Sequence, residues 1–176
     1  AQTKIRTEDI EAVLHAELGT HARHYPVYSS KTVNGKPLFL HALEGAIDTI
    51  QIPTHPETIY KISLQSVENI PGAALKERVN KTLANAPTSA EPSKALGADF
   101  RIGVVRKGWE IALTDDMYTV LRISVVCGTG TYMRTLVDRI GKSLGSRGLA
   151  LSIHRTKIGK YFRISDTLGF FWKRYR

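Results

Sequence analysis

Tyr132 and Arg134 stand two residues apart inside Gly128-Thr129-Gly130-Thr131-Tyr132-Met133-Arg134-Thr135, the stretch of this chain whose residue types best suit chemistry. The segment closes an apolar, strand-like run and opens a helix-like one. Glycines at such a turn let backbone approach a ligand. A helix start carries unpaired N–H groups that favour an anion. A phenol ring and a guanidinium in that first turn therefore fit a polyanion that also carries flat bases. Charge points the same way. With 25 Lys+Arg against 16 Asp+Glu, the net charge is +9, and nucleic acid is the expected partner.

Size and composition exclude several other classes. A chain of 176 residues fits one domain with a sizeable core. No apolar run approaches the roughly 20 residues of a membrane helix, so no membrane partner is expected. The first residues, Ala1-Gln2-Thr3-Lys4-Ile5, lack the apolar centre of a secretory signal and an initiator Met. The single cysteine, Cys127, excludes an internal disulfide framework and fits a reducing, cytoplasmic setting. Its neighbours Val125 and Val126 predict a buried strand position rather than a reactive thiol. His21 and His24 are three apart, but no further ligand spacing completes a site, so neither a metal nor another cofactor is expected.

The elements that position these residues follow from periodicity. Thr7 is expected to cap a helix with Ile10, Val13, Leu14 and Leu18 on one stripe and Gly19 at its end. His24 to Val33 reads as extended, because Pro26 excludes helix, and Asn34-Gly35 marks a turn. A short helix is expected over Leu38 to Leu43, stopped by Gly45. Glu57 to Val67 alternates as a half-exposed strand, and Gly72 to Asn85 reads as a surface helix. Ala86 to Gly97, with two prolines, reads as a loop. Asp99 to Leu113 is ambiguous, its apolar residues loosely at helical spacing.

Tyr118 to Cys127 is the clearest strand, followed by a helix over Tyr132 to Leu144 that stacks Leu136, Ile140 and Leu144. Leu149 to His154 alternates as one more strand. These elements predict an α+β fold, a mixed but largely antiparallel sheet with flanking helices, in a single domain over 1–176. Within it, 71–113 reads as a helical insertion and 163–176 as a basic, aromatic C-terminal segment. Lys173, Arg174 and Arg176, set among Phe170, Phe171, Trp172 and Tyr175, fit either an RNA-binding tail or an amphipathic end packed on the sheet, with packing slightly preferred.

Several segments, in this order, resemble the TruB family of tRNA pseudouridine synthases. Tyr25-Pro26-Val27-Tyr28-Ser29-Ser30-Lys31 through Asn34-Gly35-Lys36-Pro37-Leu38 is similar to that family's "PPxYSAxKxNGxxLY". Gly97-Ala98-Asp99-Phe100-Arg101 with Trp109 resembles its "GDFRQ…W". Gly128 to Asp138 carries its "GTYxRT" core, and His154-Arg155-Thr156-Lys157-Ile158-Gly159-Lys160-Tyr161-Phe162 resembles its "LRRTxSGxF". The match runs from about Thr7 to Phe162.

The resemblance implies an enzyme that isomerises a T-loop uridine of tRNA, detaching the uracil, turning it and rejoining it through C5. Such a base must be flipped out of its loop. It implies that Tyr28 stacks on the flipped base and that Tyr132 lies near C5. It implies that Arg134 pairs with a catalytic carboxylate as a charge-assisted fork. It also implies phosphate contacts from Lys31, Arg155, Lys157 and, pH-dependently, His154. Each residue has a plainer reading too: a packed ring, a surface charge, a solvated lysine. Asp138 reads as a structural or solvent-facing acid, and Asp115-Asp116 as a turn.

The family's nucleophilic aspartate sits in a "GTLDPxATG" motif, and no such motif occurs in this sequence. The expectation is a later part of a catalytic domain, whose aspartate lies on a preceding segment or a partner chain. Leu43, His154 and Ile102 replace residues of the family pattern, and Ala98 interrupts it. Two classes of function follow: a pseudouridine synthase acting on the T-arm stem-loop of tRNA, or a module that grips structured RNA without modifying it. An arginine aimed at a carboxylate favours the enzyme. A small ribosome-associated protein is a distant third.

Overall fold

The computed structural model describes residues 5–85, 102–165 and 168–175. The chain is α+β. Its helices are α1 (Thr7–Ala16), α2 (Leu38–Leu43), α3 (Gly72–Ala84), α4 (Ile102–Ala112) and α5 (Met133–Ser143). Its strands are β1 (Gly19–His24), β2 (Thr32–Val33), β3 (Lys36–Pro37), β4 (Thr54–Pro71), β5 (Met117–Cys127), β6 (Ile158–Arg163) and β7 (Gly169–Tyr175). The main sheet has the order β1-β4-β5; β2-β3 and β6-β7 form separate two-stranded sheets. The pairs β1–β4, β2–β3 and β6–β7 are antiparallel.

The chain groups into two compact units, Ala1–Leu64 with Ile123–Arg176, and Gln65–Arg122. The candidate residues all lie in the first. There α1 lies against α5, and the core is built from Ile10 and Leu14, Leu38, Ile59, Leu136 and Ile140. This is the expected stripe of α5 meeting the expected stripe of α1. Strand β1 pairs with the start of β4 from Gly19↔Ile59 to His24↔Thr54, which sets His21 opposite Glu57. The Asn34-Gly35 turn takes its left-handed form, φ 51° and 77°, the geometry that favours this pair of residues between two strands. It sends the chain straight into α2.

The second unit holds α3 and α4 against each other over Ile70, Leu75, Val79 and Leu113. Its ambiguous stretch resolves as helix α4 over the described residues. Asp115-Asp116 forms the bend before β5, where the Asp116 carbonyl accepts the Gly72 N–H at 2.9 Å.

Four local expectations are corrected. Thr7 is the first helical residue of α1, not its cap; Arg6 holds the cap position, without a side-chain cap bond, and pairs with Asp9 instead. Gly19 does not simply end a helix but opens β1, at φ 97°. His24 to Val33 is extended only at its ends, because Phe39 and Leu38 N–H groups take the Ser29 and Lys31 carbonyls and bend the chain between. Leu149 to His154 forms no strand; the ladder begins at Ile158, where β7 supplies a partner. The loop expected at 86–97 and the Gly97–Arg101 motif lie outside the described residues.

Candidate functional site

The glycine-rich segment runs from the end of β5 to the start of α5, and β4 holds it at three alternate positions. The Gly128 N–H donates to the Thr58 carbonyl at 2.8 Å. His55 Nε2 lies 3.1 Å from the Gly130 carbonyl, which makes that nitrogen the protonated one. The Tyr132 N–H donates to Glu57 Oε2 at 3.4 Å. Gly130 itself has φ 86°, a left-handed conformation that a side chain would strain. Within the loop, the Thr131 hydroxyl donates to the Gly128 carbonyl at 3.0 Å.

One expectation about this helix start changes. An N–H group at the entry to α5 already faces an anion, and that anion is the protein's own Glu57. Glu57 is 2% exposed, and its other oxygen accepts Arg139 Nη2 at 2.6 Å. Arg139 also forks onto Glu17, 7% exposed, with contacts of 2.9–3.3 Å. Arg23 reaches Glu17 at 3.4 Å. Burial works against the charge of Arg139, but its bonds to Glu17 and then Glu57 outweigh this and hold its pKa above the ordinary value. Two acids and two arginines thus sit beneath the loop with their charges matched, which is the condition for burying them at all.

Aromatic rings fix the side of the loop. Tyr25 stacks on His55 at 4.1 Å between centroids, and both meet Tyr132 edge-on, at 6.3 and 6.1 Å. Such pairs prefer these offset and edge geometries. Lys31 Nζ stands 5.2 Å over the Tyr25 ring.

Tyr132 and Arg134 line one open cavity of about 320 Å³, together with Gly130, Thr131, Met133, Ile153 and Arg155. Among the described residues, its lining carries two guanidiniums and no carboxylate. Arg134 Nη2 donates to the Tyr28 backbone carbonyl at 3.0 Å, which ties the segment after β1 to the start of α5. Tyr28 is not part of the lining, and the residue is 55% exposed. The structure therefore brings Tyr132, Arg134 and Arg155 together and attaches Tyr28 through its backbone. Lys31 reaches the group through Tyr25. Lys157 does not line the cavity; its Nζ lies 5.8 Å over Phe171 on β7. His154 is exposed and outside the lining.

Cys127 is half-buried rather than buried, and burial pushes its thiol up from the ordinary value. Asp138 pairs with Lys142 and Arg147 at 2.8 and 2.9 Å on the helix surface, as its position implies. Among the described residues no group of three His, Cys, Asp or Glu side chains could hold a metal. No described helix is long and apolar enough to cross a membrane.

Sequence reasoning passed over Glu17, Tyr25, His55, Glu57 and Arg139. A signal existed for two of them. Glu57 shares strand parity with buried Ile59, and Arg139 lies between Leu136 and Ile140 on an apolar stripe, where a charge needs a partner.

No protein-family model matches the chain. It is 22% identical to tRNA pseudouridine synthase B of Blochmanniella floridana over 92% of its own length and 43% of that protein's. It is 26% identical to tRNA pseudouridine synthase B of Limosilactobacillus reuteri over 94% of its length and 40% of that protein's. The same-named protein of Hydrogenovibrio crunogenus is 45% identical over 51 residues, 29% of this chain and 17% of that protein. The chain thus spans well under half the length of these relatives. Along nearly all of its residues the chain is similar to several proteins named tRNA pseudouridine synthase B, in keeping with the resemblance its motifs carry.

Proposed function

We propose that this chain supplies the base-binding wall of a tRNA pseudouridine synthase, and that the nucleophilic aspartate comes from a segment or chain outside residues 1–176. The observation that carries the reading is the shared cavity of Tyr132, Arg134 and Arg155, with Arg134 fastened to the Tyr28 carbonyl. One bond to that carbonyl leaves most of the guanidinium's donors free to fork onto a carboxylate. The substrate is a uridine in the T-arm stem-loop of tRNA, flipped out of its loop. Its C1′–N1 bond breaks, the base turns, and C1′ joins C5, which gives up its proton as N1 regains one. Tyr28 offers an exposed ring to the flipped base, and Tyr132 an edge near C5. Arg155 lies where a phosphate beside that base would pass, with Lys31, Lys157 and His154 further along the backbone.

The test uses a T-arm stem-loop tritiated at uridine C5 and measures tritium release. Residues 1–176 alone are expected to release none, because the glycosidic step lacks its carboxylate. Adding the aspartate-bearing segment should restore release. Turnover by the chain alone would show that a residue here replaces that aspartate and would overturn the division of labour. A second reading, a module that grips structured RNA without modifying it, would use the same two guanidiniums of the lining, Arg134 and Arg155, as phosphate contacts. Tight stem-loop binding with no turnover under any complementation would select it.

A further inference from the structure

Strand β4 grips the glycine-rich loop through polar groups of three residues, His55, Glu57 and Thr58, and one of them is a buried, charge-compensated acid. The Thr58 carbonyl takes the Gly128 N–H, His55 holds the Gly130 carbonyl, and Glu57 takes the Tyr132 N–H. The contacts fall at loop positions 128, 130 and 132, so every second residue is fastened to one strand. Glu57 does more than accept. Its second oxygen binds Arg139, which sits five residues beyond Arg134 on α5 and is itself clamped by Glu17. The loop before Tyr132 and the helix after Arg134 are therefore both fixed to the same side chain.

We propose that Glu57 and Arg139 are positioning residues. They set the placement of Tyr132 and Arg134 in the cavity without touching the substrate, and His55 completes the clasp from the other side of Gly130. Its part in catalysis rests on the function proposed above; the clasp itself does not. Three observations carry it. Glu57 is 2% exposed on β4, where a residue of apolar type would pack against Ile59's neighbours at no electrostatic cost. An acid there is sustained by the charge of Arg139, at 2.6 Å. And the other oxygen of Glu57 meets a loop N–H, so the charge cluster ends on the backbone that carries Tyr132. His55 adds an independent sign: its Nδ1 is buried with no hydrogen-bond partner, so the imidazole is placed there for its stack on Tyr25 and its bond to Gly130.

The experiment compares the chain with Glu57→Leu, Glu57→Gln and His55→Phe by amide hydrogen exchange, residue by residue. Ile10 and Leu14, both in the core on α1, report global stability. Glu57→Leu removes the acceptor and is expected to speed exchange at Tyr132 at least tenfold beyond any change at Ile10 and Leu14. Glu57→Gln keeps an acceptor and should change Tyr132 much less. His55→Phe keeps the ring stack but loses the donor, so it should loosen Gly130 to Tyr132 alone; it serves if Glu57→Leu does not fold. In the complemented enzyme, Glu57→Leu and Arg139→Ala should lower kcat at least tenfold and leave KM within about twofold, because the substrate contacts remain. Equal acceleration at every amide, or none at Tyr132, would overturn the clasp. A loosened loop with unchanged kcat would overturn its positioning role. Failure of the unaltered complemented protein to turn over would sink the proposed function and leave the exchange result standing.

Discussion

Arg134 and Lys31 make the sharpest contrast between side chains, since both are exposed cations on the same unit with different surroundings. Arg134 is anchored at the cavity wall, whereas Lys31 lies over a ring. Arg134→Ala should abolish tritium release in a complemented enzyme while sparing most stem-loop affinity, and Arg134→Lys should rescue little, because an ammonium cannot fork. Lys31→Ala and Lys157→Ala should weaken binding and reduce the salt slope by roughly one each, if each meets a phosphate. Filter binding across a salt series separates the two behaviours. Identical responses in all three variants would refute the separation of roles.

Cys127 gives a pH prediction. Burial raises its pKa, so the neutral thiol is favoured in the folded chain, and its share of stability is complete below the unfolded value and lost as pH climbs through the folded one. At pH 8 its alkylation should be slower in the native chain than in the denatured chain; equal rates would contradict the burial.

At the scale of the element, α5 bears both the candidate chemistry and Arg139, which joins the two buried acids. Arg139→Ala leaves two acids without their main partner and is expected to cost about 3 kcal/mol or more, readable as a lower urea midpoint. A loss below about 1 kcal/mol would mean that water reaches the cluster. Leu136→Ala, in the fully buried core of the same helix, should cost about 2–5 kcal/mol by a different cause, the cavity it leaves. Much of this element was legible beforehand. Leu136 and Ile140 fall at helical spacing, and the structure buries them. Strand β5 was equally plain from its alternation. The charged cluster was not, because Glu17, Glu57 and Arg139 are 40 and 82 residues apart in sequence, and each looks like an ordinary solvated charge until the fold joins them. Leu149 to His154 shows the opposite failure: alternation without a neighbouring strand makes no ladder.

For the molecule as a whole, the hairpin of β6 and β7 leaves an aromatic face open. Phe162 stacks on Phe170 at 6.0 Å and meets Trp172 edge-on, and all three stay about half exposed or more, Trp172 at 73%. The inner side, Tyr161 with Phe171 and Tyr60, is packed. An apolar outer face of this kind favours association. Sedimentation should show concentration-dependent self-association, reduced by Trp172→Lys; a monomer at every concentration would refute this.

Taken by itself, the sequence determined the family resemblance, the helix and strand types of most elements, the Asn34-Gly35 turn, and the basic character. These are local or compositional properties, set by spacing, glycine geometry and net charge. Tertiary structure alone decided which groups meet: Arg134 with the Tyr28 carbonyl, His55 with Gly130, and Glu57 with both Arg139 and the Tyr132 N–H. The reason is that an isolated charge or hydrogen-bonding group has no preferred partner until burial removes water and makes one obligatory.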